Sequence, residues 1–423
     1  MDKLIIQGGR RLEGTIEISG AKNAALPLMA STILAPGKHV LENVANLKDI
    51  LTMCELLEKL GARVDRSRLE SDGILEIDSA DIQSRRAPYE LVKTMRASIL
   101  ALGPLYARFG CAEVSFPGGC AIGARPVDLH LKGLEMLGAK ISVEHGYIVA
   151  EKQDAHANEI TFDTVTVTGT ENVMMAAALT PGKTVLLNAA QEPEVVDLAE
   201  YMIEMGAKIK GAGTERIELA GVESLKPGVH RIMPDRIEAG TYLVAAAITG
   251  GELLLKNCNA GHLESVIAKL HEAGVGIEKS EAGLRVWRKG KLRGVDIRTT
   301  PYPGFPTDMQ AQMMALLSLA ESGVSMITET IFENRFQHAL ELQRMGANIK
   351  MEGNRALVTG VKKLSGAKVM ATDLRASASL VLAGLASQNT TEVSRVYHLD
   401  RGYEKMEEKL NAVGAKIQRA KEA

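Results

Sequence analysis

One phrase recurs six times along the chain and constrains its fold more than any other feature. Apolar residues at helical spacing run into a glycine and then into a short β-branched stretch, as in Leu134-Glu-Met-Leu-Gly-Ala-Lys-Ile. The shared glycines follow one another at intervals of 68 to 77 residues and are Gly61, Gly138, Gly206, Gly274, Gly346 and Gly414. Repeats of about 70 residues therefore account for almost the whole chain.

Each repeat predicts two helices and several strands. The shared glycine suits the left-handed position that ends a helix, and the β-branched run after it predicts a strand. Upstream lies a second helical stretch rich in Ala, Leu and Met on all sides, which indicates a buried helix. These six stretches are 21–34, 94–106, 170–179, 236–249, 308–321 and 374–386.

The repeats also predict the architecture. A fold of six such units divides most naturally into three plus three, which gives two domains of about 200 residues each. A helix that is apolar on every side needs strands packed around it. We therefore expect an α/β protein with helices inside and sheets outside, the reverse of the usual α/β barrel.

Composition excludes several classes of function. The 423 residues carry 50 Lys and Arg against 52 Asp and Glu, a net charge of -2, which argues against a general nucleic-acid or membrane-surface binder. Aromatic residues make up 4% of the chain, so base stacking is not expected to dominate recognition. The N-terminus lacks a signal-peptide core and no apolar run reaches the ~20 residues of a membrane span. We expect a soluble cytoplasmic protein.

Metal and cofactor signatures are missing from the sequence. The four cysteines, Cys54, Cys111, Cys120 and Cys258, are too scattered for a disulfide framework or a zinc site. There is no Walker A motif, no G-x-G-x-x-G, no H-E-x-x-H and no G-x-S-x-G. We expect neither a metal nor a cofactor.

The starts of the buried helices carry the first candidate site residues. Helix N-termini attract anions, so cations there are unfavourable unless an anion binds, and this applies to Lys22, Arg96 and Arg375. Acidic and hydroxyl side chains at the same places are explained equally well as helix N-caps. Those residues are Asp235, Thr307 and Asp373.

A glycine-rich segment between residues 115 and 130 is the second candidate. It predicts an irregular loop before a helix over 127–137, and it is suited to an active-site lid. Cys120 lies on this loop near Arg125, which favours a thiol of low pKa. The alternative for a single cysteine is a small buried apolar residue.

Charged phrases near the C-terminus are the third candidate. They contain Arg335, Arg375 and Arg401, and surface ion pairs are the ordinary explanation for each. Arg401 is the strongest functional candidate of the three, because Gly402 after it permits close approach of the backbone to a ligand.

Four motifs, together with the six repeats, resemble the enolpyruvyltransferase family, and within it the branch that acts on UDP-N-acetylglucosamine. They are Ser19-Gly-Ala-Lys22-Asn23-Ala-Ala-Leu-Pro, Pro117-Gly-Gly-Cys120-Ala-Ile-Gly-Ala-Arg125-Pro-Val-Asp-Leu-His130, Pro306-Thr-Asp308-Met-Gln-Ala-Gln and Asp373-Leu-Arg-Ala-Ser-Ala. The resemblance runs end to end. It implies a two-domain inverted α/β barrel with the active site in the cleft between the domains.

The resemblance also implies domain limits and a reaction. One domain is 22–233 with a cysteine loop at about 111–126, and the other is 1–21 plus 234–423. The implied reaction moves enolpyruvyl from phosphoenolpyruvate to the 3′-hydroxyl of UDP-N-acetylglucosamine and releases phosphate, as the first committed step of peptidoglycan synthesis. Those two small molecules are the implied partners, with no nucleic acid and no membrane.

Residue roles follow from the same resemblance. Cys120 is implied as the general acid toward C3 of phosphoenolpyruvate, and Asp308 as the group that takes the hydroxyl proton. The implied phosphoenolpyruvate-binding residues are Lys22, Asn23, Arg125 and Arg401, of which Lys22 and Arg401 also count as catalytic. The implied UDP-sugar-binding residues are Asn23, Arg96, Arg125, Pro126, Val127, Asp128, Leu129, Val165, Thr166, Val167, Thr168, Asp308 and Ile331. The implied supporting residues of the cleft are Asp235, Arg335, Asp373 and Arg375.

Two other interpretations remain open at this point. The shikimate-pathway branch of the family shares the fold and the donor, but it usually has a Lys-Ser opening motif and lacks a cysteine lid. A non-catalytic repeat scaffold is the second alternative. Such a scaffold would have no reason to keep Lys22, Cys120, Arg125, Asp308 and Arg401 together.

Overall fold

The computed structural model describes residues 2–116, 127–288 and 290–421, which form two compact units. We call residues 20–116 and 127–233 the N-lobe, and residues 2–19, 234–288 and 290–421 the C-lobe. Each lobe has its own apolar core of mostly aliphatic side chains. The predicted α/β class is confirmed.

Strands make up the outer layers of both lobes. The first twelve are β1 (Asp2–Gln7), β2 (Glu13–Glu17), β3 (Lys38–Glu42), β4 (Arg63–Asp65), β5 (Leu75–Asp78), β6 (Arg86–Ala87), β7 (Cys111–Ser115), β8 (Ala139–Glu144), β9 (Tyr147–Lys152), β10 (Glu159–Thr161), β11 (Lys183–Leu187) and β12 (Lys208–Lys210). The others are β13 (Arg216–Ala220), β14 (Val229–Arg231), β15 (Glu252–Lys256), β16 (Gly276–Ser280), β17 (Gly283–Trp287), β18 (Ile297–Arg298), β19 (Val324–Thr328), β20 (Asn348–Glu352), β21 (Arg355–Thr359), β22 (Lys368–Met370), β23 (Thr390–Ser394) and β24 (Ile417–Lys421).

Helices lie between the strands in every repeat. The α-helices are α1 (Lys22–Ser31), α2 (Lys48–Leu60), α3 (Leu69–Asp72), α4 (Tyr89–Val92), α5 (Leu102–Phe109), α6 (Asp128–Met136), α7 (Val167–Ala177), α8 (Pro193–Glu204), α9 (Arg236–Thr249), α10 (Glu264–Glu272), α11 (Gln310–Leu317), α12 (Gln337–Arg344), α13 (Leu374–Ala386) and α14 (Met406–Ala412). Short 3-10 helices cover Thr32–Leu34, Arg96–Ala101, Ala260–Leu263, Thr307–Met309 and Val396–Arg401.

The strands of each lobe form three four-stranded sheets of one design. The N-lobe sheets have the orders β14-β3-β5-β4, β6-β7-β9-β8 and β10-β11-β13-β12. The C-lobe sheets have the orders β2-β15-β17-β16, β18-β19-β21-β20 and β22-β23-β1-β24. In each sheet the first pair of strands is parallel and the other two pairs are antiparallel. In the described ranges the six sheets are separate, so they do not join into one closed barrel.

The N-terminal segment completes sheets of the C-lobe. β1 lies between β23 and β24, with Leu4 opposite both Val393 and Arg419. β2 runs parallel to β15, with Thr15 opposite Leu254. The sixth repeat therefore obtains its third strand from the opposite end of the chain.

A trio of buried helices forms the centre of each lobe. α9, α11 and α13 pack on one another in the C-lobe, and α1, α5 and α7 take the corresponding places in the N-lobe. α13 is buried continuously from Arg375 to Leu385, as expected for a helix that is apolar on all sides. The predicted arrangement of inner helices with outer sheets is thus confirmed.

Two predicted helices differ from the structure. The stretch 94–106 begins as the 3-10 helix Arg96–Ala101, and α-helical geometry starts only at α5. Pro104 explains this, since it lacks an N–H and its ring would clash with the carbonyl one turn earlier. The stretch 308–321 ends its α-helix at Leu317, because the N–H groups of Leu319 and Ala320 bond to the carbonyls three residues earlier rather than four.

The six repeat glycines all have the backbone conformation predicted for them. Their φ angles lie between 87° and 112°, the left-handed region that glycine adopts readily. Glycine is also required sterically at Gly138, where an added Cβ would lie 1.8 Å from the Asp154 carbonyl oxygen. None of the helices in the described part of the chain is long and apolar enough to cross a membrane.

Candidate functional site

Lys22 opens α1 in the N-lobe and is held by one carboxylate. Its Nζ lies 3.0 Å from Oδ2 of Asp49, which belongs to α2, and both side chains are largely buried. α1 starts behind Ala21, whose methyl group cannot cap the helix, while the neighbouring Asn23 is exposed. A lysine therefore stands at the positive end of a helix, the unfavourable placement from which the sequence predicts an anion.

A second group of N-lobe side chains surrounds His130. The Nε2 of His130 lies 3.2 Å from Oγ1 of Thr168, and its Nδ1 lies 3.0 Å from the amide of Asn172. Burial and the nearby positive charge of Arg96 lower the pKa of His130 to about 3. His130 is therefore neutral, and Arg96 and Thr168, separated in the sequence, lie near the same ring.

The other N-lobe candidates that the structure describes lie at the starts of the two helices that meet at His130. Val127 is buried just before α6, and Asp128 and Leu129 are the first two residues of that helix. Thr166 caps α7 by accepting a 3.2 Å hydrogen bond from the Gly169 amide. Val165 precedes this cap and Val167 begins α7. Cys120, Arg125 and Pro126 lie outside the described residues.

Asp308 lies in the C-lobe between two arginines. Arg335 Nη2 donates to its Oδ1 at 2.7 Å, and Arg375 donates to its Oδ2 from Nε at 3.0 Å. The arginine side chains are only 6% and 4% exposed, whereas the Asp308 side chain is 26% exposed. The arrangement is a buried pair of cations on a carboxylate that remains partly accessible.

The electrostatics of this cluster fix the charge of Asp308. Burial by itself would raise the pKa of Asp308, but the charges and hydrogen bonds of Arg375 and Arg335 lower the pKa well below its ordinary value. Asp308 is therefore a carboxylate throughout the physiological range. It is also a weak base for as long as both guanidinium groups remain bound.

Thr307 and Glu329, which are 22 residues apart in the sequence, extend this cluster. Arg335 Nη1 donates to Thr307 Oγ1 at 2.8 Å, and Thr307 Oγ1 donates to Glu329 Oε2 at 2.8 Å. Ile331, one of the implied sugar-binding residues, donates its backbone N–H to Glu329 Oε1 at 2.8 Å. No sequence motif pointed to Glu329. Only its contacts in the folded chain reveal it.

The two remaining acidic candidates of the C-lobe are helix caps. Asp235 accepts hydrogen bonds from two amides at the start of α9, and Asp373 does the same for α13. The N-cap interpretation is therefore confirmed for both. Thr307 differs, because its hydroxyl bonds Glu329 instead of capping a helix.

Arg401 ends the 3-10 helix Val396–Arg401, which packs on α13. Tyr403, two residues further on, lies with its ring 5.3 Å from the Arg375 guanidinium. The chain thus brings the Arg401 segment to the helix that carries Arg375. The neighbouring Asp400 forms an ion pair with Arg419 instead, at 2.7 Å.

The described ranges contain no group of three or more His, Cys, Asp or Glu side chains that could hold a metal ion. Cys54, Cys111 and Cys258 are free thiols, and burial raises the pKa of Cys54 to about 12. The chemistry available in the described part of the site is therefore that of cations, carboxylates and hydroxyl groups.

Comparisons with known proteins show which family the chain belongs to. The family model described as EPSP synthase (3-phosphoshikimate 1-carboxyvinyltransferase) matches residues 6–410. A UDP-N-acetylglucosamine 1-carboxyvinyltransferase of Geotalea uraniireducens is 58% identical over 422 residues, which is 100% of both chains. The chain belongs to the UDP-N-acetylglucosamine 1-carboxyvinyltransferase family. The resemblance that the motifs suggested is thus confirmed.

Other members and solved structures extend the comparison. A relative of the same name from Geobacter metallireducens is 58% identical, again over 100% of both chains. The enolpyruvyl transferase NikO of Streptomyces tendae has a TM-score of 0.87 and 25% identity over 99% of both chains. EPSP synthase of Acinetobacter baumannii has a TM-score of 0.75 at 18% identity over 100% of both chains, which shows a shared fold alone. Sequence identity therefore shows the family, and structural similarity shows its fold.

Proposed function

We propose that the chain transfers the enolpyruvyl group of phosphoenolpyruvate to the 3′-hydroxyl of UDP-N-acetylglucosamine and releases phosphate. The observation that carries this proposal is full-length identity of 58% to enzymes named UDP-N-acetylglucosamine 1-carboxyvinyltransferase. The cations and carboxylates of both lobes support it, because they match the groups that this chemistry needs. We also propose that the N-lobe and C-lobe are its two domains, and that it acts in the cytoplasm at the start of peptidoglycan synthesis.

We assign the binding of phosphoenolpyruvate to lysine and arginine side chains. Phosphoenolpyruvate carries about three negative charges, and side chains such as Lys22 at a helix N-terminus provide a receptor for them. Lys22 forms its ion pair with Asp49 at 3.0 Å, so a ligand anion replaces or shares that interaction. Arg125 and Arg401 are proposed to complete the receptor, with Asn23 beside Lys22.

Binding of the acceptor is assigned to the residues around His130 and to the segment after Glu329. Arg96 and Thr168 lie near the neutral His130, and Asp128 and Leu129 begin the helix that carries it. We propose that these residues, with Asn23, Arg125, Pro126, Val127, Val165, Thr166, Val167, Asp308 and Ile331, hold the UDP-sugar. Asp235, Arg335, Asp373 and Arg375 are proposed to support the site.

The chemical step needs an acid and a base. The sugar oxygen bonds to C2 of phosphoenolpyruvate, C3 gains a proton from the Cys120 thiol, and Asp308 takes the hydroxyl proton. Phosphate then leaves C2, and C3 returns a proton to the Cys120 thiolate, which restores the double bond and the thiol. Asp308 becomes a competent base only when the substrate hydroxyl displaces one of the guanidinium hydrogen bonds that now lower its pKa.

The decisive experiment is a turnover assay with the purified chain. With phosphoenolpyruvate and UDP-N-acetylglucosamine present we expect phosphate release, and mass spectrometry should find the UDP-sugar carrying one enolpyruvyl group. The matched control replaces the UDP-sugar by shikimate 3-phosphate, for which we expect no turnover. Phosphate release with the shikimate acceptor alone would reject the proposal in favour of the sister branch, and no turnover with either would favour a non-catalytic scaffold.

A further inference from the structure

Three repeats share one structural device at the residue that follows a central strand. Asn43, Asn188 and Asn257 follow β3, β11 and β15, and each has a positive φ of 57°, 54° or 50°. Each side-chain amide donates to the carbonyl of the residue after the neighbouring parallel strand, at 2.7 to 2.8 Å. The acceptors are Ile232, Phe162 and Ile18. The bond therefore fastens the parallel pair of strands in these repeats.

Glu329 occupies this position after β19 but makes more contacts than the asparagines do. It reaches the residue after the neighbouring strand β18, since Thr299 Oγ1 donates to its Oε1 at 2.8 Å. The same oxygen accepts the backbone N–H groups of Ile331 and Phe332, and Oε2 accepts from Thr307. The side chain is almost fully buried. The contact with Thr299 joins the same parallel pair of strands, but here the carboxylate accepts from a side-chain hydroxyl, and the Thr299 carbonyl accepts from Thr330 Oγ1. The contact with Thr307 has no counterpart at the three asparagines.

The additional contact leads directly to Asp308. A threonine hydroxyl has one hydrogen, and Thr307 donates it to Glu329, so the lone pairs of Thr307 accept from Arg335 Nη1. Only Nη2 of Arg335 is then used on Asp308, at 2.7 Å from Oδ1. Without this chain, both terminal nitrogens of Arg335 could bind Asp308 in the bidentate manner that arginine favours.

We propose that Glu329 is a positioning residue of the site: through Thr307 it holds Arg335 so that one terminal nitrogen, and not both, engages Asp308. This inference rests on the proposed function, in which Asp308 must take a proton from a hydroxyl group. A bidentate Arg335 would make Asp308 a weaker base and harder to reach. With Glu329 included, the network contains two carboxylates, those of Glu329 and Asp308, and the two guanidinium groups of the arginines.

The test uses the isosteric variant E329Q together with T307V. The amide that E329Q introduces keeps an oxygen for Thr299 and Ile331 but turns an N–H toward Thr307. The Thr307 hydroxyl hydrogen then loses its acceptor and one of the two Thr307 lone pairs is taken by the amide, which disrupts the chain to Arg335. We expect each single variant to lower kcat by about tenfold, with little change in melting temperature. Because both changes break one chain, the double variant should be no slower than either single variant. T307S retains the hydroxyl and should restore near-normal kcat.

The matched control is N257A, which removes the shared device in the fourth repeat. It should lower the melting temperature and leave kcat unchanged. Additive losses in the double variant, or a normal kcat in E329Q, would overturn the inference. A second readout is independent of activity: a crystal structure of E329Q should show both terminal nitrogens of Arg335 on Asp308, and an unmoved Arg335 would overturn the inference even if the wild-type chain were inactive. Inactivity of the wild type alone would reject only the proposed function.

Discussion

The buried helices of the two lobes differ in how the charges at their starts are compensated. In the N-lobe, Lys22 begins α1 behind a residue that cannot cap it, and its ion pair is with one carboxylate, Asp49. In the C-lobe, Asp308 is a carboxylate held by two buried arginines, and α9 and α13 begin with aspartate caps. The contrast teaches that the N-lobe helix end is suited to receive an outside anion, whereas the C-lobe neutralises its own charges and would have to rearrange for Asp308 to serve as the base that we propose.

The largest effect is expected from removing the C-lobe carboxylate. D308A leaves Arg335 and Arg375 facing each other in a buried site, which should lower the free energy of unfolding by roughly 3 kcal/mol. Loss of the proposed base should reduce turnover by about 10³-fold. Urea unfolding and phosphate release measure the two effects. The control D308N keeps the shape and should lose activity with a smaller loss of stability. Unchanged stability in D308A would show that the arginines do not depend on Asp308.

Removing the N-lobe cation should have the next largest effect. K22A takes away the proposed receptor for the donor anion, and we expect kcat/KM for phosphoenolpyruvate to fall by about 10²-fold. K22R, which keeps the charge, should recover part of this loss. D49A serves as the comparison, since it removes the partner but leaves the cation, and its effect should be much smaller. Equal losses in K22A and D49A would contradict an anion receptor at Lys22.

Removing a helix cap should have a smaller effect on stability, and the effect should differ between the lobes. D373A removes two backbone hydrogen bonds at the start of α13 and should cost about 1 kcal/mol of stability. T166A removes a single 3.2 Å bond at the start of α7, and the expected cost is lower. Thermal unfolding of both variants compares them directly. If T166A were the more damaging change, the view that the C-lobe neutralises its helix ends more completely would be wrong.

The smallest effect on stability within the physiological range is expected from a change of pH. The two lobes should respond to it differently. Burial acts to lower the pKa of His230 in the N-lobe, but Asp197 and Glu204 raise the pKa above its ordinary value. Such a histidine stabilises the fold fully below its unfolded pKa of about 6.5, and this contribution is lost as pH rises through the higher folded value. H230Q should flatten the fall in stability above pH 6.5.

The C-lobe should respond in the opposite direction. The lowered pKa of Asp308 stabilises the fold above the unfolded value of about 3.9, and this contribution is lost only as pH falls below that value. Stability from Asp308 should therefore be constant between pH 6 and 8 and should decline in strong acid. Acid unfolding of D308N checks this, because the variant should be less sensitive to acid than the wild type.

Local sequence signals predicted most of the secondary structure and pointed to part of the candidate site. The repeat glycines, the buried helices and the paired lobes follow from apolar periodicity and backbone preference, which neighbouring residues determine among themselves. The sequence also identified Lys22 and Arg375 as cations at helix starts, where a positive charge is unfavourable. The prediction failed where a single residue interrupted the pattern, since Pro104 delays α5.

By itself, then, the sequence determined six repeats with buried helices and placed the charged residues at their starts. Only the tertiary structure decided which charges meet. Asp49 is 27 residues from Lys22, and Arg375 is 67 residues from Asp308, so no local pattern connects them. The position of Glu329 at a site that other repeats give to asparagine became visible only through its bonds to Thr299 and Thr307. Ion pairs and hydrogen bonds depend on distance in space, and folding alone sets that distance.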